Sequence, residues 1–418
     1  MPRSAKDEAR TGPEGRTPDR IVDGVLDLWE KSGNTALSVR TLAQAVEVPP
    51  SGIHYHFGNL EGLLETAQQV AIDRAEQWCA RQIGDIPAGP PEPEDPGGAR
   101  LAPILAALIE RWCHEQRALA FAWRECQLLA GRNPAFLPLV RRWDALWQRF
   151  WTEVCTRCAR PEAGAMTAWL FDGESILHMA SGARLLDRAC LDELCRGWEG
   201  WIGGERVPEG HWRGIARAEA LRTLPPPAES DAATALMAEA AAGIVAELGA
   251  ARLTHRAVAA RAGVTLGMVS HRFRTSSDLL RSAFETIYRR LAPQDTASVQ
   301  AHVDAALAEP GGAPSYPVIP QGMTDTHMLA LTELVMAVAR DADLHRFAHQ
   351  LRYLRGRTSL HFVQAIGGGP VSTLDAALFS SLAAGAQRAQ IGLPEEQRQT
   401  MVRRMTRAVA TWTGRPGA

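Results

Sequence analysis

The stretch Ser38–Phe57, SVRTLAQAVEVPPSGIHYHF, returns 216 residues later as Thr254–Phe273, THRAVAARAGVTLGMVSHRF, in a chain of 418 residues. Ser38 stands where an N-cap belongs, and Val39, Leu42, Ala43 and Val46 follow at the i, i+3, i+4, i+7 spacing of a short amphipathic helix. The Val48-Pro49-Pro50 run must end that helix, because Pro49 disfavours helix at Val48 and neither proline has an amide to donate. Ser51 is expected to cap a further helix that turns Ile53 and Phe57 inward. Helix, tight turn, helix is a unit that buries a small core and leaves one face of its second helix free, as a major-groove reader requires.

The second occurrence is in register without a gap over a longer span. Adding 216 to each number lays Gly33 on Gly249, Leu37 on Leu253, Arg40 on Arg256, Ala43 on Ala259, Val48 on Val264 and Leu63-Leu64 on Leu279-Leu280. Farther along, at an offset of 208, ECQLLAGRNPAFLPL from Glu125 meets ELVMAVARDADLHRF from Glu333, and Leu170-Phe171 meets Leu378-Phe379. A whole two-part unit is therefore duplicated. The change of offset is expected in loops, at the Pro/Gly-rich 87–98 and its counterpart 309–323. Residues 1–17 read as a flexible arm, helical pattern begins at Arg20, and 206–230 reads as a linker able to span about 80 Å.

Composition narrows the class. Abundant Ala, Leu and Arg, few β-branched runs and only 6% aromatic residues predict an all-α fold. No apolar run approaches the roughly 18 residues that cross a bilayer, so a membrane protein is not expected. The seven cysteines all lie in the first half, at 79, 113, 126, 155, 158, 190 and 195, which suits a reducing cytoplasm better than a disulfide framework. Cys155 and Cys158 share a helix face with no partner pair at ligand spacing, so no metal is expected, and packing is the favoured role. No nucleophile-base set or Gly-rich phosphate loop appears, which speaks against an enzyme and against a cofactor. A net charge of −2 leaves any nucleic-acid affinity to local patches.

On RIVDGVLDLWEKSGNTALSVRTLAQAVEVPPSGIHYHFGNLEGLL and LMAEAAAGIVAELGAARLTHRAVAARAGVTLGMVSHRFRTSSDLL, the chain resembles the TetR family of one-component transcriptional regulators, twice over. The resemblance implies two tandem TetR-like units, each a three-helix helix-turn-helix DNA-binding domain followed by a helical effector-binding and dimerisation domain. The domains would be 18–64 and 65–205, then the linker 206–230, then 231–280 and 281–414. It implies double-stranded operator DNA and a small-molecule effector as partners, and pairing of the final two helices of each unit, near 162–203 and 372–413. In a tandem chain that pairing becomes an intramolecular pseudo-dimer; a homodimer with four headpieces is the alternative of the same kind. The recognition helices depart from the family's usual Tyr-x-His pattern: His54-Tyr55-His56 stands in one copy and Ser270-His271-Arg272 in the other. Leu60 and Ser276 stand where the family often has a phosphate-binding lysine.

In the first copy Ser51, Gly52, His54 and Tyr55 are the expected base readers, with Ser38, Arg40, His56 and Asn59 toward the backbone. In the second they are Gly267, Met268, Ser270 and His271, supported by Thr254, His255, Arg256, Arg272 and Arg274. His255, at the position of Val39, fits a partly buried structural role equally well. The windows 36–74 and 252–290 differ in charge: two arginines against four acids in the first, eight arginines against two acids in the second. Most of the phosphate affinity is thus expected in the second headpiece. A ligand-binding module whose first headpiece has lost DNA binding is the rival reading.

Eleven of the twelve tryptophans precede residue 213, and Trp143, Trp147 and Trp151 step by four along one helical face. That stripe reads first as core. The second reading is an aromatic effector cavity, with Trp123, Trp143 and Trp147 as walls and Arg124 or His178 fixing a polar group.

Overall fold

A computed structural model describes residues 13–87, 100–180, 184–205, 208, 210–223, 231–291, 325–356, 359–367 and 371–412. Both Pro/Gly-rich loops (88–99 and 309–323), the arm up to residue 12 and the linker's end (224–230) lie outside the described residues. Among the described residues there are nineteen α-helices and no strand, so the fold is all-α.

The first copy opens with α1 (Pro13–Lys31), α2 (Val39–Ala45) and α3 (Pro50–Phe57). It continues through α4 (Leu60–Asp85), α5 (Leu101–His114), α6 (Arg117–Ala130), α7 (Leu137–Arg157), α8 (Gly164–His178) and α9 (Leu185–Ile202). Then comes α10 (His211–Arg222), and the second copy repeats the order: α11 (Ala232–Leu248), α12 (His255–Ala262), α13 (Leu266–Arg272) and α14 (Ser276–Leu291). After the undescribed segment follow α15 (Asp325–Arg340), α16 (His345–Tyr353), α17 (Ser359–Gly367), α18 (Thr373–Ala389) and α19 (Glu395–Trp412).

Local chemistry explains the repeat. Ser38 and Thr254 cap α2 and α12, their hydroxyls accepting from the Thr41 and Ala257 amides at 3.1 Å each. Gly33 and Gly249, at φ 76° and 87°, turn the chain out of α1 and α11 through backbone space that only glycine enters freely.

Three boundaries differ from expectation. α1 starts at Pro13, inside the predicted arm; Pro13 sits in the first turn, where its missing amide is harmless, and Pro18 forfeits one internal hydrogen bond. α3 starts at Pro50 with Pro49 as its N-cap, so Ser51 lies within the helix and caps nothing, because proline at N1 is already set for helical φ. The expected linker contains α10, held at its start by Glu193, whose carboxylate accepts from the Trp212 and Arg213 amides at 3.0 and 2.8 Å. α10 ties the copies together: Arg217 donates to Tyr353 O at 3.2 Å, and Gln350 donates to Thr223 O at 2.9 Å.

The copies meet along α8 and α18. A Cβ on Gly173 would lie 2.0 Å from Ser381 O, so the helices touch backbone to backbone there. Positions 173 and 381 are equivalent under the 208 offset, and a position that packs on its own equivalent marks a two-fold-like axis. α9 and α19 flank the crossing, with Trp198 and Trp412 rings 5.2 Å apart and Trp201 donating to Asp375 at 2.7 Å. One continuous core runs through the first copy, the crossing and much of the second, whereas α11–α14 gather a smaller core of their own, closed by Ala330 and Leu334 of α15.

Candidate functional site

On α3, Ile53 is buried while Ser51, His54 and Tyr55 face outward, Tyr55 at 85% exposure; Gly52 and His56 are half-buried. On α13, Val269 is buried while Gly267, Met268, Ser270 and His271 face outward. Three outward positions coincide under the 216 offset, 51 with 267, 54 with 270 and 55 with 271, so each three-helix unit presents the same register of one short helix. His54 Nδ1 lies 3.1 Å from Gly58 O, which leaves its Nε2 edge to solvent. Asn59, though exposed, spends its side-chain oxygen on capping α4, accepting from the Gly62 amide at 2.8 Å. His255 is half-buried with Nε2 2.6 Å from Phe273 O, so it fastens the end of α13 to the start of α12. Between its two readings, the structural one describes these contacts.

The charge asymmetry is smaller than composition suggests but keeps its direction. Of the eight arginines, Arg261 is paired with Glu247 at 2.5 Å, and Arg281 lies over the Phe347 ring at 5.8 Å; the side chains of Arg289 and Arg290 are outside the description. Arg252, Arg256, Arg272 and Arg274 are exposed. In the first copy Arg74 pairs with Asp23 at 2.7 Å, and Arg40 is exposed.

The tryptophans form a packed cluster. Trp123, Trp143 and Trp147 are buried against one another and against Trp112 and Phe171, with centroids 4.7–6.4 Å apart. Trp143 donates to Gln68 at 3.1 Å. Arg124, fully buried beside the Trp123 ring, pairs with Asp172 at 2.9 Å, and burial lowers its pKa to about 10. His178 sits by Glu174; burial and then Arg352 lower it to about 4, so the ring is neutral. These five residues, the expected effector walls, serve as core. Cys155 and Cys158 are likewise buried, and burial pushes their thiols up to about 12 and 11.

A cavity of about 170 Å³ lies instead between the copies, where α6 and α7 face α15 and α18. Gln127, Gly131, Leu329, Thr332, Arg388 and Arg398 are among its lining residues. Beside it runs a pair of crossing contacts that composition did not reveal. Arg132 of the first copy pairs with Glu333 of the second at 2.7 Å, and Glu333 accepts from the Ala250 amide at 3.1 Å. The equivalent pair is reversed: Arg340 of the second copy reaches Glu125 of the first at 2.5 Å, and Glu125 takes a hydrogen bond from the Asn34 backbone. Arg340 Nη2 also donates to Trp29 O at 2.8 Å. Each three-helix unit is therefore gripped at the glycine turn by an acid of its own copy that the other copy's arginine holds. The signal was present in the 208-offset alignment, where Glu125 meets Glu333 and Arg132 meets Arg340.

No helix among the described residues is long and apolar enough to cross a membrane. No protein-family model matches the chain, and no curated protein matches it as a relative.

Proposed function

We propose that the chain is a cytoplasmic DNA-binding transcriptional regulator of the TetR type, a repressor, whose two fused units fold as an intramolecular pseudo-dimer. The observation that carries this reading is the pair of short helices, α3 and α13, exposing the same register on two matching three-helix units mounted about one crossing. Ser51, His54 and Tyr55 would read base edges in one half-site, and Met268, Ser270 and His271 in the other, where Met268 suits a thymine methyl. The arginine groups at 252, 256, 272 and 274 would contact phosphates, with Arg40 alone in the first unit. Because the readers differ, the operator would have two unlike halves about 34 Å apart.

A small effector would act by shifting the population between spacings of the two heads. The acids Glu125 and Glu333 offer a route, since each joins a head to the opposite copy. Selection from random DNA, with the mass of the complex measured, tests the reading. It expects one chain per duplex and enrichment of an asymmetric site, and absence of any enrichment refutes it. Two chains per duplex would favour the homodimer with four headpieces. The fewer exposed arginines of the first head, Arg20 and Arg40 with Arg20 already bonded to Val46 O, favour, as a second reading, a chain that binds DNA through α13 alone. Binding measured with each head disabled separates these.

A further inference from the structure

At the cavity between α6, α7, α15 and α18 the two copies differ at a position that sets the free volume. Under the 208 offset, Leu329 in the cavity wall corresponds to Phe121. Phe121 is fully buried, and the Arg117 and Arg340 guanidinium groups each stand 4.9 Å from its ring centre. One side of the inter-copy interface is thus plugged by an aromatic ring and two cations; the other carries a smaller leucine and a hole.

The hole also borders an unbalanced charge. Arg124 and Arg388 share a single carboxylate, Asp172: Arg124 Nη1 lies 2.9 Å from one oxygen, and Arg388 Nε donates to the other at 2.5 Å. Gln127 occupies the first oxygen as well, at 3.0 Å. One carboxylate balances one of the two guanidinium charges, and burying the excess is costly unless an anion meets it. Nearby Asp144 does not supply the balance, because burial raises its carboxyl well above the usual range and Arg141 is its own partner at 3.1 Å. Arg388, 5% exposed, lines the cavity and turns its Nε and Nη2 toward the one Asp172 oxygen. Leu137, Met328, Leu329 and Ile391 supply apolar wall, while Thr332 and Gln387 supply neutral polar groups.

We infer that this cavity is a single ligand site for a small carboxylate with an aromatic or compact aliphatic body, the carboxylate seated on Arg388 and the body against Leu329. A cavity of about 150 Å³ is known to accept a benzene ring, so about 170 Å³ suits a body of that size. Occupancy is transmitted to the second three-helix unit. Gly131 and Thr332 line the cavity, and the residues that follow them, Arg132 and Glu333, make the crossing pair that holds the Ala250 amide. A ligand that displaces α15 against α6 at the Gly131–Thr332 end therefore pulls first on the turn at Gly249–Arg252; the Gly33–Ala36 turn, gripped two helical turns away by Arg340 and Glu125 of the same two helices, receives less of the movement. Control of DNA binding through this route rests on the regulator reading above; the binding site and its effect on the turn do not.

Calorimetry of the full chain with benzoate and with benzamide tests the site. Benzoate binds one per chain, and uncharged benzamide binds roughly 10-fold or more weakly, a difference of at least about 1.4 kcal/mol. Leu329→Phe recreates the plug and abolishes benzoate binding with the thermal transition retained, whereas Phe121→Leu leaves benzoate binding in place. Hydrogen exchange, read without DNA, shows benzoate changing protection more at 250–262 than at 34–46. Absence of benzoate binding, equal binding by Leu329→Phe, equal affinity for benzamide, or equal exchange changes in both segments would each overturn the inference. Benzoate binding with altered exchange but no effect on DNA affinity sinks the regulator reading and leaves the site standing.

Discussion

Replacing Arg272 and Arg274 together by alanine removes two of the four exposed arginines around α13, and it changes no buried contact, since both side chains face outward. If each holds one phosphate, the slope of log K against log salt becomes less steep by about 1.8, from about 0.9 per phosphate on duplex DNA. Extrapolated to 1 M salt, that slope amounts to about 1.5 log units at 0.15 M, so affinity falls about 30-fold, or about 2 kcal/mol. Fluorescence anisotropy on a labelled mixed-sequence duplex, repeated across salt concentrations, measures both quantities at once. Asn59→Ala is the control. It deletes the α4 cap and so costs about 1 kcal/mol of local stability, while removing no charge and leaving the slope unchanged. Equal affinity losses in the two variants, or an unaltered slope in the arginine variant, would refute the assignment of phosphate contacts to the second head.

The interface makes further predictions. Glu125→Ala strands Arg340, whose side chain is 14% exposed, and lowers stability by about 3 kcal/mol; Glu333→Ala costs less, because Arg132 at 33% exposure can hydrate, and calorimetric unfolding ranks the two. Gly173→Val drives a side chain into Ser381 O and lowers the melting temperature by the equivalent of about 3 kcal/mol or more; an unchanged transition would mean the α8–α18 crossing is not the packed centre. His178 is held at about 4 against 6.5 in the open chain, so the unfolded state binds the extra proton and stability declines as pH falls from 6.5 toward 4, by about 2 kcal/mol at pH 5. Burial would raise Glu174, but its bonds to His178 and then the pair's charges lower it to about 2, which adds a loss of the same sign below pH 4.5. His178→Gln flattens the first of these losses, and a melting curve series against pH shows whether it does.

Local chemistry alone determined a good deal. Caps at Ser38 and Thr254, the glycines at 33 and 249 and the apolar spacing of α2 act within a few residues, so the helices, their repeat and the outward faces of α3 and α13 are legible in the chain. Where the boundaries moved at Pro13 and Pro50 the cause was again local, a proline suited to a first turn, whereas the start of α10 is fixed by Glu193 from the preceding helix. The role of a side chain was another matter. Nothing in the spacing of Trp143 and Trp147 says whether the rings line a space or fill it; Trp112, Trp123 and Phe171, brought in from three other helices, fill it. Eight arginines in one window carry no information on which are already paired, and Glu247 and Phe347 engage two of them from other elements. The cavity beside Arg388 exists because Leu329 faces Gly131 across a boundary between copies, some 200 residues apart in the chain. Capping and amphipathic spacing are short-range and are written in sequence order, whereas burial, charge balance and vacant volume depend on neighbours that only the tertiary fold brings together.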